Sequence, residues 1–347
     1  MLLIYRFVSR QICQQTNLLT DVPVRVLSCS LEAPWLHDRE NKNCTVGVLR
    51  RFSRTSRTGS VYSGAPRRGI TMKTWKHSVS SADTAPSTAP LLLLGTVENN
   101  LRTARQMGYD AIEIHTREDE DLDIDSIRRT MRESGMKISA IVTGRLNTEG
   151  RCDLMSDEPY IARICIECMK RYVDLAAELD TDLILGWVRG RIPAGGSRKK
   201  YMDRLARNLK VVDSYAAEKQ VRIMIEVINR YEINTFNTAE EVMTFLEQYD
   251  LPNCYAHLDT FHMGIEEEDP YEAIRRCGSR LGYFHLADNS RKYPGTGQID
   301  FYRMLQALEE INYEGYLSVE CLPWPNHLEA AQKALCYMKE TEQQKGA

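Results

Sequence analysis

A single (β/α)8 barrel, preceded by a disordered N-terminal segment, is the fold that this 347-residue sequence predicts. Three observations carry that expectation. From Met72 onward eight short apolar runs alternate with longer amphipathic segments. Near-continuous apolar strands separated by helices signal a parallel sheet covered on both faces. The 276 residues of 72–347 also suit a barrel, which typically takes about 250. An open doubly wound sheet is the alternative, but it would usually carry a Gly-rich loop after its first strand, and no G-x-G-x-x-G occurs.

The first strand is expected in HSVSSA (77–82). TVENNLRTARQMG follows, with Val97, Leu101, Ala104 and Met107 on one helical face and Gly108 as the stop. AIEIHT (111–116) and KISAIVT (137–143) are the second and third strands. YIARICIECMKRYVDLAAEL then repeats apolar residues at helical spacing. The C-x-x-C of Cys165 and Cys168 therefore lies on a helix and, with no second pair, reads as two small buried hydrophobes rather than a zinc or redox site. LILGWV (183–188) is the fourth strand. The loop after it, VRGRIPAGGSRKK (188–200), carries Arg189 and Arg191, either solvated or placed to meet a carboxylate or phosphate. RIMIEVI (222–228), YAHLDT (255–260), LGYFHLA (281–287) and YLSVECL (316–322) complete the eight strands. Ahead of the last, DFYRMLQALEEINYEG sets Phe301, Met304, Leu305 and Leu308 on one face.

The formal charge of −3 conceals two different kinds of sequence. Residues 1–71 hold eleven Lys+Arg against four Asp+Glu, whereas 72–347 hold 34 against 44. The first stretch is rich in Arg, Ser and Thr without a sustained period, which argues for disorder. Its Arg-bearing, acid-poor opening suits an organelle transit peptide. The other reading, upstream sequence translated ahead of a start at Met72, is favoured because the regular pattern begins there. A chain beginning at Met72 is accordingly expected to fold and keep full activity; loss of soluble protein on that truncation would show the division to be wrong. The ten cysteines follow no disulfide framework and suit a reducing, cytoplasmic compartment. No apolar run approaches the roughly 18 residues of a membrane span. The acidic balance of 72–347 argues against nucleic acid.

Function in such a barrel collects at the C-terminal ends of the strands. Those ends offer Glu113 and His115, Glu226, Asp259, His285 and Glu320, each set in apolar company. Burying a carboxylate there is costly unless something compensates it. Any one of these residues has an ordinary explanation, as an ion pair, a core histidine or, for Asp259, a helix cap. Four successive strands ending in Glu, Asp, His and Glu point instead to a divalent cation. Three oxygens and one imidazole suit Mn2+, Co2+ or Mg2+ better than structural zinc. A base and an acid flanking a carbon next to a carbonyl, with a cation to stabilise the enediolate, is the equipment for epimerising that carbon.

The segments IEVINRYEINTFNT, HLDTFHMGIEE, FHLADNSRKYPGTGQIDF and INYEGYLSVE resemble the xylose isomerase-like TIM-barrel superfamily of sugar phosphate isomerases and epimerases. They are most similar to the D-tagatose and D-allulose (psicose) 3-epimerases and their keto-sugar-acid relatives. The resemblance runs from about Met72 to the C-terminus and is strongest from Glu226 to Glu320. It implies metal ligands at Glu226, Asp259, His285 and Glu320, with Glu226 and Glu320 doubling as the acid/base pair. It also implies substrate contacts from Glu232, His262 and Arg291, one divalent ion, and a homo-oligomer, dimer or tetramer. Ser290 before Arg291 and Cys321 after Glu320 depart from the ketohexose pattern, so the expected substrate is a ketose or a keto-sugar acid. The rival readings are an aldose–ketose isomerase such as hydroxypyruvate isomerase, a dehydratase of the inosose or dehydroshikimate kind, and, from a different class, an endonuclease for abasic DNA.

Overall fold

The structure is a computed structural model that describes residues 73–117, 122–148 and 152–344. The reading of 1–71 as a separate segment lies outside the described residues. The strands are β1 (Lys76–Ala82), the two-residue β2 (Leu93–Leu94), β3 (Ala111–His115), β4 (Lys137–Val142), β5 (Leu183–Leu185), β6 (Ile223–Glu226), β7 (Cys254–Asp259), β8 (Leu281–Leu286) and β9 (Tyr316–Val319). All pair in parallel. Apart from β2 they follow one another around the ring, and β9 closes it by pairing Lys76–Val79 with Tyr316–Val319. This is the expected eight-stranded TIM barrel. The extra strand β2 belongs to none of the eight runs. It lies along the end of β1 because Leu92 N donates to Ser80 O (3.3 Å) and Gly95 N to Ala82 O (3.0 Å), while Leu92 and Leu93 are buried.

Ten helices are described: α1 (Val97–Met107), α2 (Ile124–Ser134), α3 (Gly144–Thr148), α4 (Pro159–Glu178), α5 (Arg198–Glu218), α6 (Ala239–Tyr249), α7 (Thr260–Glu266), α8 (Pro270–Cys277), α9 (Phe301–Glu310) and α10 (His327–Gln344). Their boundaries follow local chemistry. Thr96 caps α1 by accepting from Asn99 N, and Gly108, at φ 93°, ends it with its N–H on the Ala104 and Arg105 carbonyls. The face of Phe301, Met304, Leu305 and Leu308 on α9 is buried as its spacing requires, each such side chain contributing about 1.5–3 kcal/mol. Cys165 and Cys168 are buried thiols on α4, outside any disulfide, and Arg171 Nη2 donates to Cys168 Sγ (3.0 Å). Among the described residues no helix is long and apolar enough to cross a membrane.

Period-two alternation explains how the barrel interior changes character along its axis. One buried apolar cluster, distinct from the core beneath the helices, contains Ala140, Val142, Ile184, Met224 and Tyr283, with Tyr255 and Tyr316 against it. Two residues further along these strands the inward positions turn polar. Glu226 follows Met224, His257 and Asp259 follow Tyr255, His285 follows Tyr283, and Ser318 and Glu320 follow Tyr316. The pairing of β7 with β8 slips by one residue between Ala256 and His257. Gly282 sits at the slip, where a Cβ would lie 2.2 Å from Met224 Sδ and 2.8 Å from Tyr255 Cβ. Only glycine lets the backbone pass there, and the irregularity sets His257 beside Tyr283 and Asp259 beside His285.

Candidate active site

Four side chains converge where β6, β7, β8 and β9 end. Donor atoms of Glu226, Asp259, His285 and Glu320 all lie within 4.8 Å of one another, and all four residues are buried. His285 Nδ1 stands 3.8 Å from Glu226 Oε1, 3.7 Å from Asp259 Oδ2 and 3.7 Å from Glu320 Oε2. These separations are too long for hydrogen bonds. Asp259 Oδ2 and His285 Nδ1, both buried, have no hydrogen-bond partner among the described residues. Three carboxylates and one imidazole with their free atoms turned toward a common point make a donor set that fits a divalent cation.

The supporting contacts fix the direction in which each donor points. Asp259 is the helix cap that its sequence position allowed. Its Oδ1 caps α7 by accepting from Phe261 N (2.7 Å) and His262 N (3.4 Å), which leaves Oδ2 to face the cluster. Glu113, fully buried on β3, accepts from His285 Nε2 (2.7 Å) and from His115 Nε2 (2.8 Å). An Nε2–H held this way leaves the Nδ1 lone pair for a cation. Glu113 and His115 stand out in sequence as strand-end residues, but their coupling to His285 spans 172 positions and depends on the closed ring.

Charge within the cluster is unevenly distributed. Burial, followed by repulsion from Glu320, pushes the Glu226 carboxyl up to about 8. Burial also acts to raise Asp259, but the charges of His262, His285 and Arg291 outweigh it and hold that carboxyl below the ordinary range. The glycine at 186 makes room for Glu226, since a Cβ there would sit 3.2 Å from its Oε2.

Beside the cluster, Glu232, His262 and Arg291 form the second group singled out in the sequence. Arg291 Nη1 donates to Glu232 Oε1 (2.8 Å) and Nη2 to Glu320 Oε2 (3.4 Å). Asn229, which the sequence did not single out, donates through Nδ2 to Glu232 Oε1 (3.0 Å) and to His262 Nδ1 (2.7 Å). That bond leaves His262 with its proton on Nε2 and so makes Nε2 a donor. Arg291 adopts a left-handed backbone at φ 57°, a conformation costing roughly 1–2 kcal/mol for a residue with a Cβ. The loop enforces it: Asp288 accepts from the backbone N–H groups of Asn289, Gly295, Gly297 and Ile299, and Leu322 N donates to Arg291 O (2.7 Å).

Arg189 corrects the expectation of a solvated or anion-binding loop. Its side chain is completely buried and donates to Gly186 O (3.1 Å), Thr235 Oγ1 (3.2 Å) and Thr235 O (2.9 Å). It ties the loops after β5 and β6 together, its donors taken by two backbone carbonyls and the Thr235 hydroxyl. Arg191 lies over the Trp187 ring, 5.9 Å from its centroid. At the ends of β1 and β3, Asp83 pairs with Arg117 and accepts from Arg145 Nη1 (2.6 Å), which also donates to His115 O (3.2 Å).

Comparison with known proteins agrees with the barrel fold. The chain is 33% identical over 220 residues to an L-ribulose 3-epimerase from Methylomonas sp. (strain DH-1), covering 62% of this chain and 75% of that one. It is 30% identical over 222 residues to a D-psicose 3-epimerase from Agrobacterium fabrum, covering 62% and 75%. A crystal structure of a D-allulose 3-epimerase from Methylomonas sp. superposes with a TM-score of 0.66 at 25% identity, over 78% of this chain and 100% of that one. The family model described as "Xylose isomerase-like TIM barrel" matches residues 101–340, and the chain belongs to that family.

Proposed function

We propose that this chain is a divalent-metal-dependent epimerase that inverts C3, the carbon next to the carbonyl, in a ketose or keto-sugar acid. The class, an isomerase of the epimerase kind, is that of its relatives. The observation that carries the reading is the convergence of Glu226, Asp259, His285 and Glu320, in which the Glu226 and Glu320 carboxylates would be the pair that exchanges a proton with the sugar. A cation held by these four, Mn2+ in the first instance and Co2+ or Mg2+ as alternatives, would polarise the carbonyl and offset negative charge developing on the sugar oxygens.

Glu226 and Glu320 end strands three apart in the ring, and a sugar bound between them would present one face of C3 to each carboxylate. One carboxylate removes the C3 proton to give an enediolate, and the other returns a proton to the far face. With a cation held beside it, Glu226 would be ionised and ready to take the C3 proton, and its burial would favour keeping that proton until it is passed back. His262 Nε2–H and the Arg291 guanidinium are the donors for the oxygen on which charge develops, held in place by Asn229 and Glu232. Asp259 stays ionised throughout.

Incubating Mn2+-loaded protein with ketoses, keto-sugar acids and their phosphates in D2O, followed by NMR, tests the reading. The expected result is an epimer pair with deuterium at C3. Deuterium at the neighbouring carbon with formation of an aldose would replace it with an isomerase, and loss of water with a dehydratase.

A further inference from the structure

We infer that His257 anchors a buried water beneath the four-donor cluster and, through it, holds the Glu226 carboxylate in position. His257 lies on β7, register partner of Glu226 on β6, and is fully buried. Its ring meets His285 edge to face at 4.2 Å between centroids and Tyr283 at 5.2 Å, both at 90°. Neither Nδ1 nor Nε2 has a hydrogen-bond partner among the described residues. A neutral imidazole brings one donor and one acceptor, and burying both without partners is a cost that folded proteins rarely carry.

The neighbourhood shows where a partner fits. A ring nitrogen of His257, a carboxylate oxygen of Glu226 and a ring nitrogen of His285 lie within 4.8 Å of one another. One water spans such a gap with two bonds of about 2.8 Å, and buried waters typically bridge otherwise unsatisfied groups in this way. The same water restrains a carboxylate that its other neighbours hold loosely. Gly186 presents no side chain to Oε2, and Arg189, although buried nearby, gives its bonds to Gly186 and Thr235. His257 is thus a positioning residue acting on Glu226 and takes no proton from the sugar.

The kinetic half of the test rests on the epimerase reading; the structural half does not. The Mn2+-loaded parent, His257→Gln and His257→Leu are each crystallised and assayed. In the parent, an ordered water is expected within hydrogen-bond distance of a His257 nitrogen and of Glu226, and the leucine variant should lack it. The leucine variant should also lose on the order of 10- to 100-fold in kcat with KM unchanged. Glutamine, which keeps a donor and an acceptor, should largely restore both the water and kcat. Parental density showing no water near either nitrogen, or parental kcat in the leucine variant, overturns the inference. So does a second ion per chain that His257→Leu removes, since His257 would then be a ligand. Should the leucine variant not fold, the parent's density and the glutamine variant still decide the matter. If the parent turns over no ketose at all, the epimerase reading fails while the density still decides the water.

Discussion

Glu226→Gln and Glu320→Gln are each expected to collapse turnover while the protein keeps its cation. Glutamine preserves an oxygen that can face the ion and nearly the same volume, so Gly186 still clears residue 226 and Arg291 still has an acceptor at residue 320. What glutamine cannot do is accept a proton from carbon. General acid–base groups typically contribute about 10²–10⁴-fold, so a loss of at least that size is expected at each position. Both positions matter because inversion needs a proton removed from one face and delivered to the other. The two single variants should therefore be about equally impaired, and the double variant little worse than either. Steady-state kinetics paired with elemental analysis gives the check. Near-parental turnover in either variant with its metal in place would make a two-base epimerisation untenable and favour one-base chemistry.

The four donors were legible because each interrupts an apolar run at a strand end, where the alternation that buries Met224, Tyr255, Tyr283 and Tyr316 also aims Glu226, Asp259, His285 and Glu320 inward. Barrel closure could be read from the eight runs because parallel strands buried on both faces keep an apolar signature. The supports of the site were hidden for physical reasons. Glu113 reaches His285 only once β3 and β8 share one closed ring. Asn229 orients His262 across 33 residues through a loop whose shape no periodicity encodes. Arg189 looked like a solvated residue among glycines and lysines, yet the carbonyls of Gly186 and Thr235 satisfy its guanidinium and make full burial tolerable. The slip at Gly282 left no mark in the pattern either, because a glycine inside an apolar run is compatible with a regular strand.

Removing the metal should abolish turnover and also make the protein's stability depend on pH in a stated direction. With no cation, the donors face one another: Glu226 is pushed up to about 8 from an ordinary 4.5. His285 is held above its ordinary 6.5, because the pull of Glu113 and Glu320 exceeds the opposing effect of burial. Between pH 4.5 and 8 the native state thus keeps a proton on Glu226 that the unfolded chain has lost, and stability falls as pH rises through that window. The His285 contribution is complete below 6.5 and is lost as pH climbs above it, in the same direction. Asp259, held low, works the other way only in acid below 3.8. His257 and His262, which burial holds below the ordinary imidazole value, also work the other way, but their contribution is complete once pH has passed 6.5, so Glu226 sets the net direction above it. EDTA-treated protein is therefore expected to show a thermal midpoint that drops by several degrees from pH 6 to pH 8. Mn2+ should flatten the profile, release protons on binding and restore activity. His285→Ala and Asp259→Asn should weaken Mn2+ binding first, with activity partly recovered at high Mn2+, whereas replacing His262 should spare metal binding and lower turnover. Full turnover after exhaustive chelation, verified by elemental analysis, would remove the cation from the mechanism, and a midpoint that rises from pH 6 to pH 8 in the chelated protein would contradict the charge arrangement of the cluster.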